Sequence, residues 1–314
     1  MTLVPTTAGD CEAGALGVTL CHEHVTGGYE GMRVQWPHLY DPDAEMAQIA
    51  RNIEALQKWG VATIVDPSCL DLNRNAHLSL AVTESTGMRF VLATGVYGVA
   101  YRHFGAHIKP SANVLVDCFL HDLEEGIQGS GVRAAFLKCA CDRPGLTRDI
   151  EMVHRAVAHA SLKSGAPIMA HSNPKFATGL EQMSLFHAEG VTPSKIQMAH
   201  TGDTDDLDYI ERLLETGCFV GLDRFGLDVF LSTERRLATL AALVERGHGE
   251  RLMLSQDCCF VLDGMDDATR RAFAPDWRPT FLFETVLPAA RRLGVPQDQL
   301  AAMVGSNVHA WLSA

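Results

Sequence analysis

Two histidines one residue apart close an apolar run near the start of the chain, where Ala15-Leu16-Gly17-Val18-Thr19-Leu20 leads into Cys21-His22-Glu23-His24-Val25. The run reads as a buried first β-strand, and a strand sends alternate side chains to one face, so His22 and His24 point the same way. Two imidazoles side by side make half of a site for Zn²⁺, Co²⁺, Mn²⁺ or Fe²⁺. The same pattern, a polar residue closing an apolar strand, recurs at Lys138, His171, His200 and Asp257. Each has a plainer reading. One ring of the first pair could sit in the core and the other at the surface. His171 and His200 could be core histidines with satisfied hydrogen bonds, Asp257 could cap the segment after it, and Lys138 could extend its ammonium to solvent.

Lys138 is the informative member. An ammonium among metal ligands would repel the ion. If the amine loses its proton at a depressed pKa and adds CO₂, the carbamate is a bidentate anion able to bridge two metals, and the set reads as a binuclear centre.

These side chains need a scaffold that brings strand ends together. Apolar runs at Val61 to Val65, Phe90 to Gly95, Ala134 to Lys138, Pro167 to His171, Ile196 to His200, Cys218 to Leu222 and Leu252 to Ser255 follow the first. Amphipathic stretches separate them, at about Pro42 to Trp59, Arg74 to Thr86, Ala112 to Gly126, Thr147 to Ser164, Thr178 to Glu189, Thr204 to Thr216 and Ser232 to Glu245. Strands apolar on both faces belong to a parallel sheet covered by helices, and eight of them predict an α/β fold, a closed (β/α)₈ barrel with its site at the C-terminal ends of the strands. An open doubly wound sheet is the alternative, although no Gly-x-Gly-x-x-Gly turn follows any strand. With no linker or low-complexity segment, residues 1–314 read as a single domain. The two longest connections, after the first strand and from about Cys258 to Arg278, are expected to shape a substrate pocket.

Composition narrows the class. The chain has 314 residues, 47% of them hydrophobic, and a formal charge of −12 with no Lys/Arg run, which argues against a nucleic-acid or anionic-membrane partner. Nine scattered cysteines, several inside apolar runs, suit a reducing cytoplasm better than a disulfide framework. The opening Met1-Thr2-Leu3-Val4-Pro5 has neither a basic nor an apolar leader segment, and no run reaches the length of a membrane span, so a cytoplasmic location is expected.

Across about residues 15 to 312 the chain resembles the phosphotriesterase family of the amidohydrolase superfamily, and within it the phosphotriesterase-like lactonases. The likeness rests on Leu20-Cys21-His22-Glu23-His24, Gln35-Trp36-Pro37-His38-Leu39-Tyr40, Gly95-Val96-Tyr97, Leu137-Lys138, His171-Ser172-Asn173, His200-Thr201-Gly202-Asp203 and Gly221-Leu222-Asp223-Arg224. The resemblance implies that His22, His24 and Asp257 hold the more buried of two divalent metal ions, zinc first and cobalt, manganese or iron as alternatives. It implies that His171 and His200 hold the more exposed one and that Lys138 bridges both as its carbamate. It also implies that Tyr97 touches substrate, that Arg224 shapes the pocket, and that the protein is a homodimer, with Trp36 and Tyr40 as interface candidates. Gln256 stands where many lactonase relatives have His, Phe225 where Tyr is frequent, and Cys258-Cys259 follow the last ligand.

The expected reaction is hydrolysis of N-acyl-homoserine lactones or other γ- and δ-lactones by a metal-bridging hydroxide. Asp257 would accept the proton and pass it to the leaving alkoxide. Organophosphate triester hydrolysis is expected as a weak side activity, with a dedicated phosphotriesterase as the alternative and a non-catalytic metal-stabilised binding protein as a remote one. The apolar side chains Phe260, Val261, Leu262, Met265, Phe273 and Trp277 could line an acyl-chain channel or pack against the barrel or a second subunit.

Overall fold

Short strands that are apolar on both faces can only be buried between helices, and here they are. The computed structural model describes residues 2–97 and 112–314. Strands β1 (Val18–Leu20), β2 (Val61–Asp66), β3 (Arg89–Gly95), β4 (Phe136–Ala140), β5 (Ile168–His171), β6 (Ile196–Ala199), β7 (Phe219–Leu222) and β8 (Leu252–Leu254) form one sheet in chain order. Every neighbouring pair is parallel. This is the predicted α/β barrel, and helices follow the strands around its outside.

Helix starts follow the capping residues. Asp41 accepts the Ala44 N–H ahead of Pro42–Gln57, Asn75 that of Leu78 ahead of Ala76–Thr86, and Ser232 that of Arg235 ahead of Thr233–Glu245. The Asn75 cap explains why the second helix begins at Ala76 rather than at the expected Arg74. The fourth strand is also displaced, running from Phe136 to Ala140 rather than from Ala134 to Lys138. Lys138 is therefore mid-strand and turned into the barrel.

The ends of the sheet meet differently from expectation. β1 stops at Leu20 and β8 at Leu254, and each chain resumes as a second strand, Glu23–Gly27 and Cys258–Leu262. These two pair in parallel, Cys258 against Glu23 and Leu262 against Gly27. The barrel is thus seamed above the strands, and the stretch expected to be a long loop from Cys258 begins as this strand and continues into a helix, Asp267–Phe273. Both breaks, 21–22 and 255–257, fall where the candidate ligands lie.

The opposite mouth is plugged. Trp311, on the last helix Ser306–Leu312, is fully buried against Phe136 with ring centroids 5.4 Å apart, and its indole N–H donates to the Lys195 carbonyl at 3.1 Å. Val65, Val91, Met169, Phe219 and Met253 fill the barrel above it. The C-terminal ends of the strands are left open for chemistry. Among the described residues no helix is long and apolar enough to cross a membrane.

Candidate active site

The open end of the barrel holds a cavity of about 560 Å³ lined by His22, His24, Lys138, His171, His200 and Asp257, together with Tyr97 and Arg224. Every side chain named from the sequence as a metal ligand or catalytic group is at one place. His22 follows the end of β1, His24 lies on its continuation, Lys138 is central in β4, His171 ends β5, and His200 and Asp257 follow β6 and β8.

Asp257 is the hub. Its Oδ1 lies 3.3 Å from Nε2 of His22 and 3.2 Å from Nε2 of His24, while Oδ2 accepts from Nε of Arg224 at 2.8 Å. The ligand atoms of His22, His24 and Asp257 fall within 4.8 Å of one another, the span of a single ion's coordination sphere. Burial opposes charge on Asp257, but His22, Arg224 and His200 outweigh it and keep the carboxyl ionised well below its ordinary value. Its backbone is left-handed, φ 51°, and is held there by the Trp277 indole N–H on the Asp257 carbonyl at 3.0 Å. A non-glycine residue in that region costs energy, and such outliers concentrate at functional sites.

Each imidazole is oriented from behind. Asp223, completely buried after β7, accepts from Nδ1 of His22 at 2.9 Å and from Nδ1 of His200 at 3.0 Å, which leaves Nε2 of both free to face the cavity. The His24 Nδ1 hydrogen-bonds Ser68 Oγ at 2.8 Å, with Asp66 Oδ1 3.6 Å away. Although burial works against a charge there, Asp257 and Asp66 push His24 up to about 9. The site is thus built to attract a cation. The His200 ring lies 4.7 Å from that of His22, tilted, and meets that of His171 edge-on at 4.4 Å, centroid to centroid. The His171 Nε2 faces Asp142 Oδ2 and the Tyr97 hydroxyl, both at 3.2 Å, and burial lowers its pKa to about 4.

The donor set fits divalent metal. Four imidazoles and a carboxylate are borderline ligands suited to zinc and its neighbours. Lys138 strengthens the fit, because its amine is fully buried and among the described residues its hydrogen-bond partner is the Met169 sulfur, 3.2 Å away. Burial lowers its pKa. A buried amine that holds its proton less tightly than an exposed lysine and opens on the cavity is placed to form a carbamate once that proton leaves.

Three polar residues essential to this geometry were not singled out from the sequence. Asp66 closes β2 and Asp223 follows β7, so the pattern that flagged the histidines would have flagged them too. Glu23 lies between the two histidines. It is fully buried, accepts from Ser255 Oγ, Gln256 N and Cys258 N at 2.7–2.8 Å, and stitches the seam. The departures from the lactonase pattern are now placed. Gln256 turns away from the cavity, its amide bonding the Pro279 carbonyl and the Leu282 N–H, and Phe225 is core. Cys259 lines the cavity, while Cys258 is buried behind it. Of the six apolar side chains offered as a channel, Leu262 and Met265 line the cavity. Phe260 is in the core, Val261 packs partly buried against it, Trp277 braces Asp257 and Phe273 is exposed.

A barrel with histidines and carboxylates gathered at the strand ends defines a metal-dependent hydrolase. The sequence model of the phosphotriesterase family matches residues 2–312, and the chain belongs to that family. It is 39% identical over 298 residues to the aryldialkylphosphatase of Saccharolobus solfataricus, covering 94% of this chain and 95% of that protein. It is 35% identical over 309 residues to a phosphotriesterase homology protein of Mycobacterium tuberculosis, covering 96% and 95%. The solved phosphotriesterase structure from M. tuberculosis superposes with a TM-score of 0.94 at 34% identity, over 99% of this chain and 98% of that one.

Proposed function

We propose that the protein is a lactonase that opens γ- and δ-lactones, N-acyl-homoserine lactones among them, with phosphotriester hydrolysis as a minor activity. In this reading His22, His24 and Asp257 hold one divalent cation, zinc first, and His171 and His200 a second. Lys138, once its amine has lost its proton, adds to CO₂ with release of a second proton and supplies the bridging carbamate. The cations would activate water and polarise the oxygen of the electrophile.

The observation that carries the lactone reading is the proton-handling group around the cavity. An aryl phosphotriester loses a stable phenolate, whereas a lactone must expel an alkoxide, which needs a proton. Asp257 accepts a proton from the attacking water and returns it to that alkoxide. Burial raises the Tyr97 phenol well above its ordinary pKa, so it stays protonated and can donate to the substrate oxygen beside His171. Arg224, buried between Asp257 and Asp203, holds Asp257 in place. Leu72, Leu262 and Met265 offer an apolar wall for a chain on the ring.

The name of the relative from S. solfataricus favours a second reading, phosphotriester hydrolysis as the main activity. The discriminating measurement is kcat/KM of the metal-loaded protein on a long-chain acyl-homoserine lactone, a simple δ-lactone and an aryl phosphotriester, beside Asp257→Asn. Lactones ahead by orders of magnitude, with turnover lost in the variant, support lactonase; a leading phosphotriester overturns it.

The protein is also proposed to be a homodimer, through the exposed Val34, Trp36 and Leu39 of the first loop. Tyr40, the other interface candidate, lies half-buried beneath Arg33 instead. Light scattering behind a sizing column tests the oligomeric state.

A further inference from the structure

The floor of the cavity is held by Asp223, Ser68 and Arg224, but one of its walls is held by something else. That wall consists of residues 27–30, at the end of the first seam strand, and 262–265, at the end of the second. The segments touch closely. Asp263 N donates to the Gly27 carbonyl at 2.9 Å, and a Cβ built on Gly28 would lie 2.2 Å from Asp263 Oδ2, so the two can meet only because residue 28 has no side chain. Asp263 brings a nearly buried carboxylate to this junction, and Glu45, on the helix Pro42–Gln57, brings another.

One guanidinium answers both. Arg33 Nη2 donates to Asp263 Oδ1 at 2.5 Å and Nη1 to Glu45 Oε2 at 2.6 Å, while the guanidinium lies over the Tyr40 ring, 4.5 Å from its centroid. Two carboxylates on separate nitrogens of a planar fork fix direction as well as distance, which a lysine ammonium cannot do. The aromatic face beneath removes the remaining freedom.

We propose that Arg33 is a specificity-determining positioning residue: by clasping Asp263 and Glu45 it locks residues 27–30 against 262–265 and sets the width of the substrate cavity. It touches none of the groups assigned to chemistry, so it governs which substrates fit rather than how fast they react once bound. Removing it leaves Asp263 and Glu45 without their shared cation at the junction, and the wall opens. The inference takes this cavity to be the substrate site, as the proposed function does.

The test uses the metal-loaded enzyme with Arg33→Met, Arg33→Lys and the near-isosteric Asp263→Asn. KM and kcat are measured on a small lactone, a long-chain lactone and an aryl phosphotriester, with hydrogen exchange followed across the chain. Arg33→Met should raise KM for the smallest substrate by about tenfold while kcat stays within about threefold, the signature of lost uniform binding. The preference between small and bulky substrates should narrow. Arg33→Lys should fall between wild type and Arg33→Met, and exchange should quicken in 27–30 and 262–265 alone. Unchanged KM and exchange overturn the proposal, as does faster exchange throughout the barrel in all three variants. If Arg33→Met does not fold, Asp263→Asn decides by the same measures. If wild type turns over no lactone, the lactonase reading falls, and the clasp is still judged by phosphotriester KM and by exchange.

Discussion

Asp223 Oδ1 lies 3.0 Å from Nδ1 of His200 and 2.8 Å from the backbone nitrogen of the same residue, so a single carboxylate oxygen fixes both its ring and its left-handed backbone, φ 62°. The other oxygen holds His22. An asparagine there retains one acceptor and cannot serve both rings. Asp223→Asn should weaken metal affinity by about 10–100-fold, the usual effect of losing a ligand-orienting partner. Competition with a chromogenic chelator measures it, and an unchanged affinity would show that the rings are set by packing instead.

Lys138 offers a sharper stoichiometric test. If its carbamate bridges two ions, Lys138→Met, which replaces a buried amine beside Met169 by an apolar chain of similar reach, should fold as wild type yet retain fewer ions per chain on elemental analysis. Wild-type metal content in that variant would remove the bridging role.

The approach of β3 to β4 gives a prediction in the fold itself. A Cβ on Gly95, at φ 142°, would lie 1.9 Å from the carbonyl oxygen of Lys138. That backbone atom cannot step aside without moving Lys138. Gly95→Ala should cost about 3 kcal/mol or more in denaturant unfolding and should lower metal retention with it. A loss of stability alone would mean that β4 relaxes without shifting its lysine.

Acid should destabilise the metal-free protein partly through His154. It is fully buried, with Nδ1 on the Ile150 carbonyl and Nε2 against the Gln182 amide, and burial lowers it from 6.5 to about 4. Below pH 6.5 the unfolded chain takes up a proton that the folded chain refuses until about pH 4. Its contribution is therefore complete above the higher value and lost as pH falls between the two, at most about 3 kcal/mol. His154→Leu should flatten the slope of unfolding free energy against pH in that window. An identical slope in the variant would assign the acid sensitivity to other groups.

Much of this was legible in the chain. Apolar runs ending in a polar residue located the strands and gathered His22, His24, Lys138, His171, His200 and Asp257 at one mouth, because a parallel barrel turns every strand end the same way. Periodicity did not locate the fourth strand correctly, since Ala134-Ala135 extend its apolar run ahead of the strand proper, which spans Phe136 to Ala140. Nor did it reveal the seam. The segments 23–27 and 258–262 pair with each other only in space, and Glu23, Arg33 and Asp263 acquire their partners only there. Hydrophobic pattern states which way a side chain faces but not which distant segment lies beside it.

That seam has a consequence for assembly. Ser255 and Glu23, hydrogen-bonded at 2.8 Å, are 232 positions apart, so the contact closes a loop comprising most of the chain. Contacts of such separation are slow to form and come after the local βα units. The mouth of the cavity is therefore completed only once residues 258–262 have been made, and a chain released before Asp257 would lack the carboxylate that His22 and His24 face.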